Sequence, residues 1–179
     1  VKSDGSVWFT DPSYGIMMDY EGDRAESEIG ACHVFRVDPS GEIRIVADDY
    51  VKPNGLAFSV DESSLYIADS GITHTPGAPA HIRRHDVGPD GALSGGEVLA
   101  DCTSGVFDGF RLDRDGRIWS SAADGVHCLA PDGALIGKIL IPEMVANVCF
   151  GGPKLNRLFI CGTTSLYSIF LNVNGVSPL

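Results

Sequence analysis

Apolar and polar residues alternate along this chain in short runs, and turn-forming residues separate the runs. Phe110 to Leu112 and Arg117 to Trp119 show this pattern on both sides of an Asp113-Arg114-Asp115-Gly116 turn. Alternation with a period of two around an Asp-Gly turn predicts two antiparallel strands joined by a tight hairpin. No segment of the sequence shows the apolar period of an amphipathic helix. The pattern therefore predicts an all-β protein.

This two-strand unit recurs along the chain. Each copy opens on an Asn or Asp residue and reaches an aromatic residue 11 or 12 positions later, in the pairs Asp108 and Trp119, Asn54 and Tyr66, and Asn147 and Phe159. The chain itself begins on the second half of such a unit, with Trp8 as its aromatic residue. The four aromatic residues are separated by 58, 53 and 40 positions. A period of roughly 40–50 residues with several short strands per unit is typical of β-propeller blades.

We therefore interpret residues 1–179 as one β-propeller domain of four-stranded blades. Residues 1–50 form a partial blade, and complete blades follow at 51–102, 103–142 and 143–179. Long loops are predicted at Pro12 to Ala31 and at Gly71 to Pro79. No strand precedes the Ser3–Gly5 turn to pair with the Val7 strand, so we expect the domain to lack its N-terminal part.

Composition restricts the classes of partner. The 24 acidic and 13 basic residues give a net charge of -11, which disfavours binding to nucleic acid. No apolar run approaches the roughly 20 residues of a membrane-spanning helix, so no membrane partner is expected. The five cysteines are scattered and form no CxxC pair, which predicts buried, reduced thiols and a cytoplasmic protein. A periplasmic or secreted location stays open, because Val1 is not a natural start.

Two polar residues stand at equivalent strand starts. The innermost strands of a propeller face its channel, so Asn54 and Asp108 are expected to converge at one mouth of it. Carboxylate and amide oxygens from neighbouring blades suit a hard divalent cation such as Ca²⁺. Asn-Gly and Asp-Gly are also common turn dipeptides, and the spacing alone leaves both interpretations open.

Several longer motifs of the sequence are also distinctive. They are Trp8-Phe9-Thr10-Asp11-Pro12-Ser13-Tyr14-Gly15, Lys52 to Ser59 with its Pro-Asn-Gly, Leu65 to Ser70, Phe107-Asp108-Gly109-Phe110 with Gly116 to Trp119, and Phe150-Gly151-Gly152. With these motifs the chain resembles the C-terminal part, about four blades, of the gluconolactonase/regucalcin (senescence marker protein-like) family of six-bladed β-propellers. The resemblance implies that the N-terminal blades of a six-bladed ring are missing from this chain.

The resemblance also implies a function and a metal site. Members hold one divalent cation with a Glu, two Asn and one Asp; Asn54 corresponds to the second Asn and Asp108 to the Asp, while the other two ligands would precede Val1. Ca²⁺ is the expected ion, with Zn²⁺ or Mg²⁺ as alternatives. The implied activity is metal-dependent hydrolysis of a small sugar lactone, with Asp108 as metal ligand and general base. With two ligands and two blades outside the chain, we expect the isolated 179 residues to be inactive and their open edges to allow self-association.

Weaker candidates line the predicted mouth. Asp11 and Tyr14 follow the first aromatic strand, Ser70 and His74 begin the second long loop, and Asn147 opens the last blade. Each is a candidate for contacting substrate hydroxyls, but each also fits a strand end or a solvated loop. Two other functions stay open: a paraoxonase-type lactone or phosphotriester hydrolase, and a non-catalytic binding or scaffold propeller.

Overall fold

Fourteen strands form four antiparallel sheets in the computed structural model, which describes residues 1–176. The first sheet contains β1 (Val7–Asp11), β2 (His33–Val37) and β3 (Ile43–Ala47). The second contains β4 (Pro53–Phe58), β5 (Ser64–Asp69), β6 (His81–Val87) and β7 (Leu93–Asp101). The third contains β8 (Phe110–Leu112), β9 (Ile118–Ala122), β10 (Gly125–Leu129) and β11 (Leu135–Leu140). The fourth contains β12 (Val145–Gly151), β13 (Arg157–Gly162) and β14 (Leu166–Phe170).

In every sheet the strands pair with their neighbours in chain order, so each sheet is a meander. The first strands of successive sheets lie side by side: β4 contacts β8, and β8 contacts β12. This is the arrangement of propeller blades around a channel, and the all-β prediction is confirmed. The two middle sheets have the four predicted strands. The first sheet has three and starts at the strand that is second in the others, and the last sheet also has three.

The repeated aromatic residues hold the blades together. They lie in β1, β5, β9 and β13, the equivalent strand of each sheet. Trp8 packs edge-on against Phe58 of the second sheet with ring centroids 5.3 Å apart, and Trp119 packs in the same way against Phe150 of the fourth at 6.2 Å. Strands such as β2 and β8 alternate buried with less buried residues because one face packs against the next sheet, whereas β5 and β10 are buried throughout.

The Asp113–Gly116 turn forms as predicted. Gly116 has a φ of +79°, which favours glycine, and its N–H donates to the Asp113 carbonyl at 3.0 Å. The buried Asp113 carboxylate accepts hydrogen bonds from the Arg117 guanidinium at 2.7 Å and from the Trp119 indole at 2.9 Å. The turn thus fixes the aromatic residue that packs on the next blade.

Some surfaces differ from the sequence-based expectations. The cysteines form no disulfide within residues 1–176, but the prediction that they are buried is confirmed for Cys128 only: Cys32 and Cys102 are half-buried, and Cys149 and Cys161 are exposed on the last sheet. The long loop from Pro12 contains one short helix, α1 (Tyr14–Met17), and a 3₁₀ turn follows β5 at Gly71–Thr73. Neither is amphipathic.

Among residues 1–176, no helix has the length and apolar character needed to cross a lipid bilayer.

Candidate functional site

Three strand starts meet at one mouth of the channel. Asn54 lies at the start of β4, Asp108 lies two residues before β8, and Asn147 lies near the start of β12. Together with Trp8, Phe9, Thr10 and Arg111 they line a cavity of about 320 Å³. The structure therefore places the two residues predicted to hold a cation, together with Asn147, around a shared space.

Asn54 and Asp108 lie next to each other at the cavity. The Asn54 Nδ2 donates to Ser70 Oγ at 3.2 Å, and as a hydrogen-bond donor the same amide favours the ionised form of Asp108. Both interactions use the nitrogen side of the amide. The Asn54 Oδ1 is therefore the atom of this side chain that suits a cation.

Neighbouring polar groups fix both side chains. Ser70 is fully buried and donates its hydroxyl to the Phe107 carbonyl at 2.8 Å, while Thr10 donates to the Asn54 carbonyl at 2.8 Å. The backbone N–H of Asp108 lies 3.2 Å from the hydroxyl oxygen of the buried Ser121. The first three sheets thus each contribute a hydroxyl group that holds the strand starts in place.

Glycines after the strand-start residues allow this close approach. A Cβ added to Gly55 would lie 3.1 Å from both the Asp108 carbonyl carbon and the Gly109 Cα, and closer still to the Asp108 carbonyl oxygen. A Cβ on Gly109 would lie 2.6 Å from Asn147 Nδ2. Neither glycine has a positive φ, so the requirement is space and not backbone conformation.

The sequence analysis missed Asp69, which shapes the entry to β4. Its buried carboxylate accepts three backbone N–H groups, from Val51 and Lys52 at 2.9 Å and from Gly71 at 3.1 Å. The sequence feature that could have identified Asp69 is its position as a carboxylate at the end of the otherwise apolar β5 strand. Since these bonds hold the segment before Asn54, Asp69 fixes the position at which β4 starts.

Arg111 was also missed. It lies between the buried Phe110 and Leu112 in β8, so its side chain is on the channel face and lines the cavity below Asp108. The sequence feature that could have identified Arg111 is its place at the polar position of an innermost strand. It places a positive charge near the strand starts.

Burial raises the pKa of Asp108 above its ordinary value. The hydrogen bond from Asn54 opposes this rise, and the negative charge of Glu21 adds to it. A partly desolvated carboxylate is a higher-energy anion than one in water, and a bound cation would lower that energy. This electrostatic state also suits a carboxylate that accepts a proton.

The weaker candidates separate into two groups. Tyr14, Ser70 and His74 come together: the Tyr14 hydroxyl lies 3.4 Å from the Ser70 carbonyl, and the Tyr14 and His74 rings are 5.4 Å apart. Asn147 lines the cavity, with its Oδ1 accepting the Val148 N–H at 2.8 Å. Asp11 is exposed, pairs with His33 in the first sheet and does not line the cavity.

The donor set fits part of a cation site. Within residues 1–176, no three His, Cys, Asp or Glu side chains are grouped in a way that could hold a metal ion. The oxygen donors at the three strand starts are one carboxylate, from Asp108, and two amide carbonyls, from Asn54 and from Asn147, whose Oδ1 already accepts the Val148 N–H. Oxygen ligands of these two types are those preferred by Ca²⁺, which takes about 6–8 of them.

Comparison with known proteins identifies the family of the chain. Residues 1–164 match the family described as the SMP-30/gluconolactonase/LRE-like region. A gluconolactonase of Zymomonas mobilis is 30% identical over 175 residues, which cover 92% of this chain and 47% of the relative. The solved structure of a gluconolactonase from Xanthomonas campestris matches 98% of this chain and 55% of its own, with 35% identity and a TM-score of 0.84.

A more distant structure shows the same fold. Regucalcin from Agrobacterium tumefaciens, a calcium-binding protein, matches 98% of this chain and 60% of its own, with 21% identity and a TM-score of 0.70. The chain spans about half the length of the curated relatives it matches. Since the family match covers nearly the whole sequence, this chain belongs to the SMP-30/gluconolactonase/LRE-like family.

Proposed function

We propose that this chain carries part of the active site of a divalent-metal-dependent lactonase that hydrolyses sugar lactones. The observation that supports this most is the convergence of the half-buried Asp108 carboxylate and the Asn54 amide on one cavity, at the starts of neighbouring inner strands. Family membership adds that relatives are named gluconolactonase and pentonolactonase. A sugar lactone is therefore the proposed substrate class.

Asn54 and Asp108 would hold the cation through Oδ1 and the carboxylate. When bound there, a divalent cation supplies Lewis-acid polarisation of the lactone carbonyl. Ca²⁺ is the proposed ion because both donors are hard oxygens and because the related regucalcin is described as calcium-binding. Zn²⁺ generally takes His or Cys ligands, and neither type lines the cavity.

Asp108 is also the proposed general base. Burial raises its pKa, which increases its tendency to accept a proton from an attacking water. The hydrogen bond from Asn54 keeps the carboxylate in one orientation, and the Ser121 hydroxyl lies 3.2 Å from its backbone nitrogen. The water oxygen then forms a bond to the carbonyl carbon, the bond from that carbon to the ring oxygen breaks, and the ring oxygen takes up a proton.

Other residues of the mouth are assigned to the sugar. Asn147 presents an amide group in the same cavity as Asn54, and Tyr14 and His74 lie further out on the loops. Such groups recognise the hydroxyls of a sugar ring through hydrogen bonds. Ser70 is fully buried, so its assigned role is to hold the Asn54 amide and not to contact the sugar. Asp11 is left out of this assignment, since it is exposed away from the cavity.

Calorimetry with calcium and a proton-release assay on glucono-lactone, both in a full-length background that supplies the remaining metal ligands, test the proposal. Asp108→Asn keeps the shape of the side chain but removes the anion, so calcium binding and lactone hydrolysis should both be lost. Asp115→Asn, an exposed carboxylate in the nearby turn, is the matched control and should change neither. Hydrolysis by Asp108→Asn at the unmodified rate would reject the assignment. Calcium binding without hydrolysis of any sugar lactone would favour a binding propeller.

A further inference from the structure

Lys52 is a buried cation next to the proposed site. It directly precedes Pro53 and Asn54, its backbone N–H donates to Asp69, and the residue is only 7% exposed. Its ammonium lies against one short segment of the first long loop. The contacts are the Ser13 hydroxyl, the Met17 sulfur at 3.2 Å and the face of the Tyr14 ring, whose centroid is 5.2 Å away.

The ammonium has no carboxylate partner in the described part of the chain. The ion pairs of lysine within residues 1–176 belong to Lys2 and Lys138. A buried charge is costly unless it is paired, and one hydroxyl, one thioether and one aromatic ring compensate for it only in part. Stability alone therefore favours an uncharged side chain of the same length at this position.

The segment that Lys52 contacts has little stability of its own. The α1 helix comprises four residues, none of them buried, and no side chain caps its N-terminus. Helices of this length do not persist without tertiary contacts. Lys52 and the Tyr14 hydroxyl, which lies 3.0 Å from Thr73 Oγ1, connect this turn to the second sheet.

The turn is also connected to the proposed site. The Tyr14 hydroxyl lies 3.4 Å from the Ser70 carbonyl, and the Ser70 hydroxyl in turn contacts the Asn54 amide. A displacement of α1 would therefore move Tyr14 away from the residues beside Asn54. The backbone that carries Lys52 is itself the entry to β4, so the turn is tied to the same strand as the proposed metal ligand.

We propose that Lys52 is a positioning residue whose buried ammonium holds the Ser13–Met17 turn on the second sheet and so fixes the position of Tyr14 beside the substrate site. The proposal deepens the proposed lactonase function and rests on it for the role of Tyr14. Lys52 does not touch the reacting atoms in this scheme. It determines how the outer part of a sugar lactone is held, through the loop it anchors.

Lys52→Met is the main test, because methionine matches the length of lysine and removes the charge and the donor. Amide hydrogen exchange followed by mass spectrometry reports on the turn through the Ile16 N–H, bonded to Ser13, and the Ala25 N–H, bonded to Ile16. In Lys52→Met these amides should exchange about tenfold faster or more, as expected from losing a hydrogen bond to a charged group. The urea midpoint should stay equal or rise.

Kinetics separate a positioning role from a purely structural one. For Lys52→Met we expect a several-fold higher KM for the lactone, with kcat and calcium affinity close to those of the unmodified protein. Lys52→Arg should restore slow exchange and low KM, since a guanidinium can donate to Ser13 and stack on Tyr14. Lys138→Met removes a lysine paired with Asp124 in another sheet and should change neither exchange at α1 nor KM.

Unchanged exchange at Ile16 and Ala25 in a folded Lys52→Met protein would overturn the proposal. If Lys52→Met fails to fold, Ser13→Ala decides, because it removes the acceptor of the same contact and should also speed exchange. Unchanged exchange in Ser13→Ala would then reject the anchor. If the unmodified protein hydrolyses no sugar lactone, the proposed function fails, and the exchange comparison still decides whether Lys52 anchors the turn.

Discussion

The substitution Gly55→Ala tests whether close packing of the inner strands builds the site. The added Cβ would lie 3.1 Å from the Asp108 carbonyl carbon and the Gly109 Cα, and nearer to the Asp108 carbonyl oxygen. Non-bonded carbon atoms pack at about 3.5–4.0 Å, so the start of β8 must move by at least roughly 0.4 Å. The atoms in the way belong to the backbone, so no side chain can rotate to relieve the contact.

The expected cost follows from this overpacking. Inserting one methyl group into a packed region costs about 1–3 kcal/mol, and the upper half of that range is expected where backbone must move. The displacement also moves Asp108 relative to Asn54. Metal sites tolerate errors of only about 0.2 Å in ligand distance, so the affinity for calcium should fall together with stability.

Urea denaturation followed by tryptophan fluorescence gives the change in stability, and calorimetry gives the calcium affinity. Gly137→Ala is the matched control, because it lies in strand β11 and an added Cβ there meets nothing within 4 Å. Alanine should be neutral or stabilising at that position by up to about 1 kcal/mol. A Gly55→Ala protein as stable as Gly137→Ala, with unchanged calcium affinity, would refute the packing argument.

Three further predictions concern charged groups. Asp108→Asn should raise the urea midpoint of the metal-free protein at pH 7, because burial raises the Asp108 pKa and ionisation at neutral pH therefore costs stability. This gain should vanish as the pH falls below about 4, where the carboxyl group is protonated in the folded and in the unfolded state. Asp113→Ala leaves Arg117 and Trp119 without their acceptor and should cost about 3–5 kcal/mol in urea denaturation, whereas the exposed Asp115→Ala should cost far less. Burial tends to raise the pKa of Asp124, but hydrogen bonds from Lys138 and His127 outweigh burial and lower this pKa to about 2. Its stabilisation is complete above about pH 4 and is lost as pH falls towards 2, so Asp124→Asn should flatten that part of a plot of urea midpoint against pH.

The strand pattern was readable from the sequence because blade packing is periodic. Many strands bury one face, so apolar residues alternate along them, and an aromatic residue recurs at the same place in every repeat, where Trp8 and Trp119 pack against the next sheet. The exposure of Cys149 and Cys161 was not readable, since which face of the last sheet is covered depends on neighbours distant in the chain.

Much of the candidate site was readable for a related reason. Residues at the start of equivalent inner strands converge at the channel, so their position in the repeat made Asn54, Asp108 and Asn147 candidates, and the family resemblance supplied the metal-ligand roles of Asn54 and Asp108. Asp69 and Lys52 could not be found in this way. Their roles come from contacts with loop backbone and with α1, which follow no repeat.

The sequence by itself determined the all-β class, the hairpin units, the aromatic packing positions and the polar residues at the strand starts, because each depends on local alternation or on a fixed place in a repeat. Only the tertiary structure decided which groups touch there. The convergence of Asn54 and Asp108 on one cavity, the burial that raises the Asp108 pKa, and the packing of the Lys52 ammonium on the Tyr14 ring all join segments far apart in the chain. Such contacts depend on how sheets and loops pack in three dimensions, and no local pattern encodes them.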